Sequence, residues 1–238
     1  MRGRVAASMA ASLALVGALT PAIATAHVGI ASGTATANAT QEIAFGVGHG
    51  CSGSDTLEIT VDIPQGVSTV RAMPNEFGKV KVNKDAAQTI TSVTWRKADT
   101  DVVLGADDLY YKLGLRIKVP DRPFTTLFFA IHQTCRAADG TEIKVDWAAP
   151  TTNDSEDPNA PKPAAALVIL PAKKPGWNKW TVPAAIPNLS AFFGDAQIVW
   201  KGSAAYSANP ATLEQAKATA GVTELTALAA GDEIWVKY

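Results

Sequence analysis

An all-β antiparallel sandwich or barrel is the fold class this sequence predicts, and three observations predict it. Apolar residues recur with period two in several short runs, turn residues separate those runs, and one segment alone has the caps of a soluble helix. In "DTLEITVDIP", Leu57, Ile59, Val61 and Ile63 share one face, with Thr56, Glu58, Thr60 and Asp62 on the other. In "YYKLGLRIKVP", Leu113, Leu115, Ile117 and Val119 alternate with Lys112, Gly114, Arg116 and Lys118. "TEIKVDW" sets Ile143, Val145 and Trp147 on one face, and "TLFFAIHQTC" is apolar enough for a buried strand. Pro64-Gln65-Gly66, Pro120-Asp121-Arg122-Pro123 and Ala138-Asp139-Gly140 supply the turns.

The acidic, Pro-rich stretch "TNDSEDPNAPKP" predicts a loop over 152–163, and "AAALVIL" after it a last strand of the same sandwich. From "KKPGWNKW" onward the character changes: Trp177, Trp180, Trp200 and Trp235, four of the six tryptophans, lie here. "NPATLEQAKATAG" predicts the helix, with Asn209 as N-cap, Pro210 at the first helical position and Gly221 as the stop. "GDEIWVKY" closes the chain as a strand. Residues 27–171 are therefore expected to form the sandwich and 172–238 a small C-terminal α+β extension. The tryptophans there are either an aromatic platform for sugar or a partner, or the satellite core of that module.

Residues 1–26 have the three parts of a secretory signal. Arg2 and Arg4 are the basic segment, Val5 to Leu19 the apolar run, and Pro21 with Ala24-x-Ala26 a helix break followed by small residues at a cleavage site. The run is shorter than the roughly 20 apolar residues of a membrane span, and no later segment is long and apolar enough to be one. Export to the periplasm or outside the cell is the expectation, with His27 as the first residue after cleavage. A first-position histidine offers a metal its imidazole and a free α-amine, whose ordinary pKa of about 8 permits deprotonation when a metal competes. Two nitrogens in one chelate suit Cu(II). Otherwise His27 is simply the residue that follows a convenient cut.

Formal net charge is −1, which gives no electrostatic case for nucleic acid or an anionic membrane. Cys51 and Cys135 are the two cysteines, and in an oxidising compartment they are first expected to be a disulfide, second a thiolate copper site. No Ser-His-Asp, phosphate-loop or zinc-spaced motif is present.

His27-Val28, His49-Gly50-Cys51-Ser52-Gly53-Ser54-Asp55-Thr56 and Ile63-Pro64-Gln65-Gly66-Val67 follow one another in an order similar to the YcnI-like copper-binding domain family, in its proteobacterial, periplasmic branch. "VTWRKA", "KVPD", "HQTC" and "VDWAAP" extend the resemblance over roughly 27–171. It implies an immunoglobulin-like sandwich holding one Cu(II) in a single-histidine brace. His27 matches the brace, and Trp147 the tryptophan beside the metal. On the strand pattern alone, which puts Trp147 on a face with Ile143 and Val145, an ordinary core residue is the favoured reading. An indole nitrogen carries a hydrogen and no free lone pair, so its work would be to cover an axial face and exclude water.

The sequence departs from that family where Glu-Phe is common on the strand before "KVPD". Lys112-Leu113 stands there, and a protonated lysine repels a cation. Asp108, or Asp107 beside it, is the possible substitute ligand, and water could also fill the position. His49 and His132 are expected to be structural or solvent-facing. The resemblance implies an exported copper-binding protein that buffers, stores or delivers Cu(II), not an enzyme, with copper transporters or other periplasmic copper chaperones as partners. The alternatives are a metal-free structural or adhesive sandwich and a copper monooxygenase-like enzyme, which would need a second histidine on the metal.

Overall fold

The structure, a computed structural model, describes residues 27–51, 53–102, 108–152, 160–218 and 221–238. The expected leader over 1–26 and Asp107 lie outside the described residues. The described residues begin with two short strands, β1 (Gly29–Ile30) and β2 (Ala35–Thr36), and two long ones, β3 (Thr40–Val47) and β4 (Asp55–Asp62). Next come β5 (Ser68–Ala72), β6 (Lys79–Lys84) and β7 (Ile90–Arg96). After them run β8 (Tyr111–Lys118), β9 (Thr125–Phe129), β10 (Ile131–Arg136) and β11 (Glu142–Ala149). A short β12 (Lys162–Pro163) and β13 (Ala165–Leu170) complete this part.

The strands form a six-stranded sheet, β12-β11-β10-β4-β7-β6, a four-stranded sheet, β1-β3-β8-β5, and a three-stranded sheet, β2-β13-β9. All three turn their apolar faces into one core, in which Phe45, Ile59, Val61, Trp95, Leu113, Leu115, Phe129, Ile131 and Leu167 are fully buried. The period-two pattern thus produces the predicted sandwich: each alternating strand has one face to bury and another that water can solvate. Pairing is antiparallel except at the short β11–β12 and β13–β2 contacts.

"TLFFAIHQTC" is a correction to the expected single strand. It divides at Ala130 into β9 and β10, which belong to different sheets. The Ala130 carbonyl accepts from the backbone N–H of Asp62, and a strand that changes sheets makes a corner of the sandwich. Leu127, Phe129 and Ile131 stay in the core across that corner, so the alternation survives where the strand does not. Cys51 and Cys135 are bridged, as expected first, with Cα atoms 5.8 Å apart.

Beyond the sandwich lie β14 (Trp177–Thr181), a short helix α1 (Ser190–Phe193), β15 (Ile198–Lys201) and β16 (Ala204–Tyr206). Then come α2 (Pro210–Lys217), β17 (Thr223–Glu224) and β18 (Glu233–Lys237). The strands form one sheet, β14-β18-β15-β16-β17. It covers a second core that includes Val182, Ile186, Leu189, Phe193, Val199, Ile234 and Val236. Phe124, from the β8–β9 connection, enters this second core and meets the ring of Trp180 edge-on at 5.8 Å. Asn209 caps α2 as predicted, its side chain accepting from the Ala211 N–H at 3.0 Å. The helix ends at Lys217, before Gly221. α1 went unpredicted because four residues without a side-chain cap leave no periodic signal.

Candidate metal centre at the N-terminal strand

Val28 fixes the N-terminal segment, its side chain buried in the sandwich core beside β1. Gly29 and Ile30 then pair with Gly46 and Phe45 of β3. This anchoring holds His27 at the rim. Its exposed ring stacks on the indole of Trp147, with centroids 5.2 Å apart and planes at 15°.

Trp147 is 2% exposed and belongs to the core, as the strand pattern expected. β11 brings it opposite Ile131 of β10. Its Nε1–H donates to Oε1 of Gln133 at 3.2 Å. The Gln133 amide in turn donates to the His49 carbonyl at 3.2 Å and to the Thr56 hydroxyl at 2.8 Å. With the indole nitrogen satisfied inside, a ring face is what Trp147 offers His27. Gln133, buried at 1% exposure, was not singled out from the sequence. The signal available was a polar residue at an inward position of a strand ending in cysteine.

The register reveals a second residue that sequence reasoning missed. A Cβ placed on Gly29 would touch the His27 ring at 3.8 Å, so the imidazole lies over Gly29. A Cβ placed on Gly46, the cross-strand partner of Gly29, would fall 2.0 Å from the Tyr110 hydroxyl. The Tyr110 ring therefore lies over Gly46, one cross-strand step from the imidazole, a spacing of about 5 Å between such positions. Glycine at position 46 is what makes room for the phenol.

Lys112 continues the same row as the β8 partner of Gly46. It stands two strands from Gly29, about 10 Å at ordinary strand spacing, with Tyr110 between. Asp108 is exposed, and no hydrogen bond or ion pair joins it to His27 among the described residues. Nor does any group of three or more His, Cys, Asp or Glu side chains gather as a metal site among the described residues.

The other two histidines serve local structure. His49 Nδ1 lies 3.0 Å from the Gly50 carbonyl, beside the disulfide. His132 lies between two carboxylates, its Nδ1 2.7 Å from Asp146 and its Nε2 3.2 Å from Asp62. Burial would lower its pKa, but the hydrogen bonds and charges of Asp146 and Asp62 outweigh that and hold it above the ordinary histidine value.

A family model described as a domain of unknown function, DUF1775, matches residues 27–169. The chain belongs to the DUF1775 family. This is the designation of the YcnI-like family whose motifs the sequence resembles. The DUF1775 match begins at His27 and ends within β13, so the C-terminal sheet lies beyond it. A solved structure from Nocardia farcinica, described as an uncharacterized protein with an immunoglobulin-like fold, shares 23% identity with a TM-score of 0.49; the match covers 61% of this chain and 99% of that one. BcpA, the major pilin subunit of Bacillus cereus, shares 8% identity with a TM-score of 0.34, over 63% of this chain and 40% of that one. Comparison with curated proteins gives no match. No helix among the described residues of this DUF1775 protein is long and apolar enough to cross a membrane.

Proposed function

We propose that this protein is an exported copper-binding protein that holds one Cu(II) through His27 as the first residue of the processed chain, for buffering, storage or delivery. The observation that carries the proposal is the His27–Trp147 stack. An exposed imidazole is fixed against a buried indole whose own nitrogen is already hydrogen-bonded.

The donor set fits copper in part. After cleavage, His27 would contribute its α-amine and a ring nitrogen, the pair that a tetragonal Cu(II) site favours. Trp147 would shield one side and exclude water. Tyr110, whose hydroxyl lies over the cross-strand partner of Gly29, would be the oxygen donor, and water would complete the set. Bound copper would supply a redox-active Lewis acid. The chain's own residues would bind it, orient the imidazole and limit its hydration. Lys112, two strands away, disfavours a further cation on that row. Copper transporters or periplasmic copper chaperones are the partners this role implies.

The test is a competition titration with a copper chelator on the processed protein, on a form carrying one extra alanine before His27, and on His27→Ala. The extension keeps the imidazole but turns the adjacent amine into an amide. Both variants should lose about a hundredfold or more in affinity, near 3 kcal/mol at about 1.4 kcal/mol per decade. An alanine-extended form that binds as tightly as the parent would end the proposal.

A further inference from the structure

The C-terminal sheet buries one face and leaves the other open. Trp180, Val199, Ile234 and Val236 face the second core. The intervening residues of β14, β18 and β15 point outward, and three of them are tryptophans. Trp235 lies directly opposite Trp200 on β15 and opposite Lys179 on β14, while Trp177 lies opposite Lys237. Trp177 and Trp235 are 51% and 49% exposed, large values for indoles on regular strands. With Trp200 and Gly202 they line an open cleft of about 440 Å³. The cleft stands on rigid strands, and Gly202, in the β15–β16 turn, leaves open space where a side chain would stand.

The rim has a definite polarity. Lys179 lies 5.9 Å from the Trp235 ring centroid and pairs with Glu233 at 2.9 Å, which occupies the one acidic side chain of this row. Lys237 has no carboxylate partner among the described residues, and none of the three indole N–H groups has a protein acceptor there. Ring faces surrounded by N–H donors call for a ligand with flat apolar faces and a periphery of acceptors. A hydrocarbon chain would leave the ammonium and indole donors unanswered. A pyranose ring bearing a carboxylate answers both demands, stacking its C–H face on an indole and directing hydroxyl and carboxylate oxygens at Lys237 and the N–H groups.

We propose that the Trp177–Trp235–Trp200 face is a binding platform for an acidic polysaccharide, a chain of uronate-type pyranose rings. Adjacent indoles on neighbouring strands would engage consecutive rings, and Lys237 would select for charge. The platform shares no residue with the His27 site.

The experiment is titration of the full processed protein with oligogalacturonate and oligoalginate, and with neutral oligosaccharides of equal length, followed by calorimetry and tryptophan fluorescence. The acidic oligomers should bind more tightly than the neutral ones, and more weakly as salt rises. The double variant Trp177→Ala, Trp235→Ala should lose at least tenfold in affinity while keeping the parent's far-ultraviolet circular dichroism spectrum at the titration temperature. Lys237→Gln should weaken binding of acidic oligomers alone. Absence of binding, binding untouched by the double variant, or neutral oligomers bound as tightly would each overturn the proposal. If the double variant instead abolishes a dimer or adsorption to lipid vesicles while no glycan binds, the face belongs to a second copy or to a lipid surface, and the proposal fails.

Discussion

The Trp147 indole N–H donates to Gln133 while a face of the same ring stacks on His27. One side chain therefore links the exposed N-terminal imidazole to a buried amide that also holds the backbone beside the disulfide and the Thr56 hydroxyl. Gln133→Leu would leave the indole N–H and the His49 carbonyl without their partner. It should cost about 1–3 kcal/mol of stability and loosen the His27–Trp147 stack. Urea unfolding combined with near-ultraviolet circular dichroism checks both, and a variant as stable as the parent would show that the amide network is dispensable.

Tyr110→Phe removes the hydroxyl over Gly46 and keeps the ring. If the phenol oxygen reaches the copper held by His27, the parent carries a phenolate-to-Cu(II) charge-transfer absorption that the variant lacks. Identical visible and electron paramagnetic spectra would place Tyr110 outside the metal's coordination.

The Cys51–Cys135 bridge closes a separation of 84 residues. On the chain-entropy account such a loop stabilises by about 4 kcal/mol, so the Cys51→Ala, Cys135→Ala protein should unfold at markedly lower urea. Two free thiols titrating in the native, unreduced protein would contradict the bridge itself.

His132 makes a pH-dependent contribution of defined sign. Its folded-state pKa is raised by Asp146 and Asp62 against the opposing effect of burial. The stabilisation is therefore full below the ordinary histidine pKa and is lost as pH rises through the raised value. The site is largely open to solvent, so the effect should stay below about 1 kcal/mol. His132→Ala should be less stable than the parent at pH 5 and nearly equal to it at pH 9 in paired denaturation curves. A deficit that grows with pH would reverse the assignment.

Lys97 and Asp55 form a buried pair, with Nζ 2.9 Å from one carboxylate oxygen and 3.0 Å from the other. The ammonium also lies 4.8 Å from the Tyr111 ring centroid. Lys97→Met should strand the carboxylate and cost about 3–5 kcal/mol, whereas replacing both residues by apolar ones of similar size should recover much of that loss. Equal thermal midpoints for the single and double variants would remove the pair from the account of stability.

The alternating runs by themselves determined that β4, β8 and β11 are strands and which of their faces is buried, because side-chain direction on a strand depends on residue parity alone. Asn209 and Pro210 fixed the start of α2 by equally local chemistry. Local pattern also selected His27 as a candidate, whereas Trp147 read as core on the strand pattern and became a site candidate only through the family resemblance. The tertiary structure decided what parity cannot encode: that the chain changes sheets at Ala130, that Gln133 holds the indole, and that the Tyr110 hydroxyl lies over Gly46, the cross-strand partner of Gly29. Those outcomes depend on register between strands distant in sequence. Shifting a pairing by one residue sends every side chain to the opposite face, so which groups meet at the rim was fixed only when β1, β3 and β8 came into line.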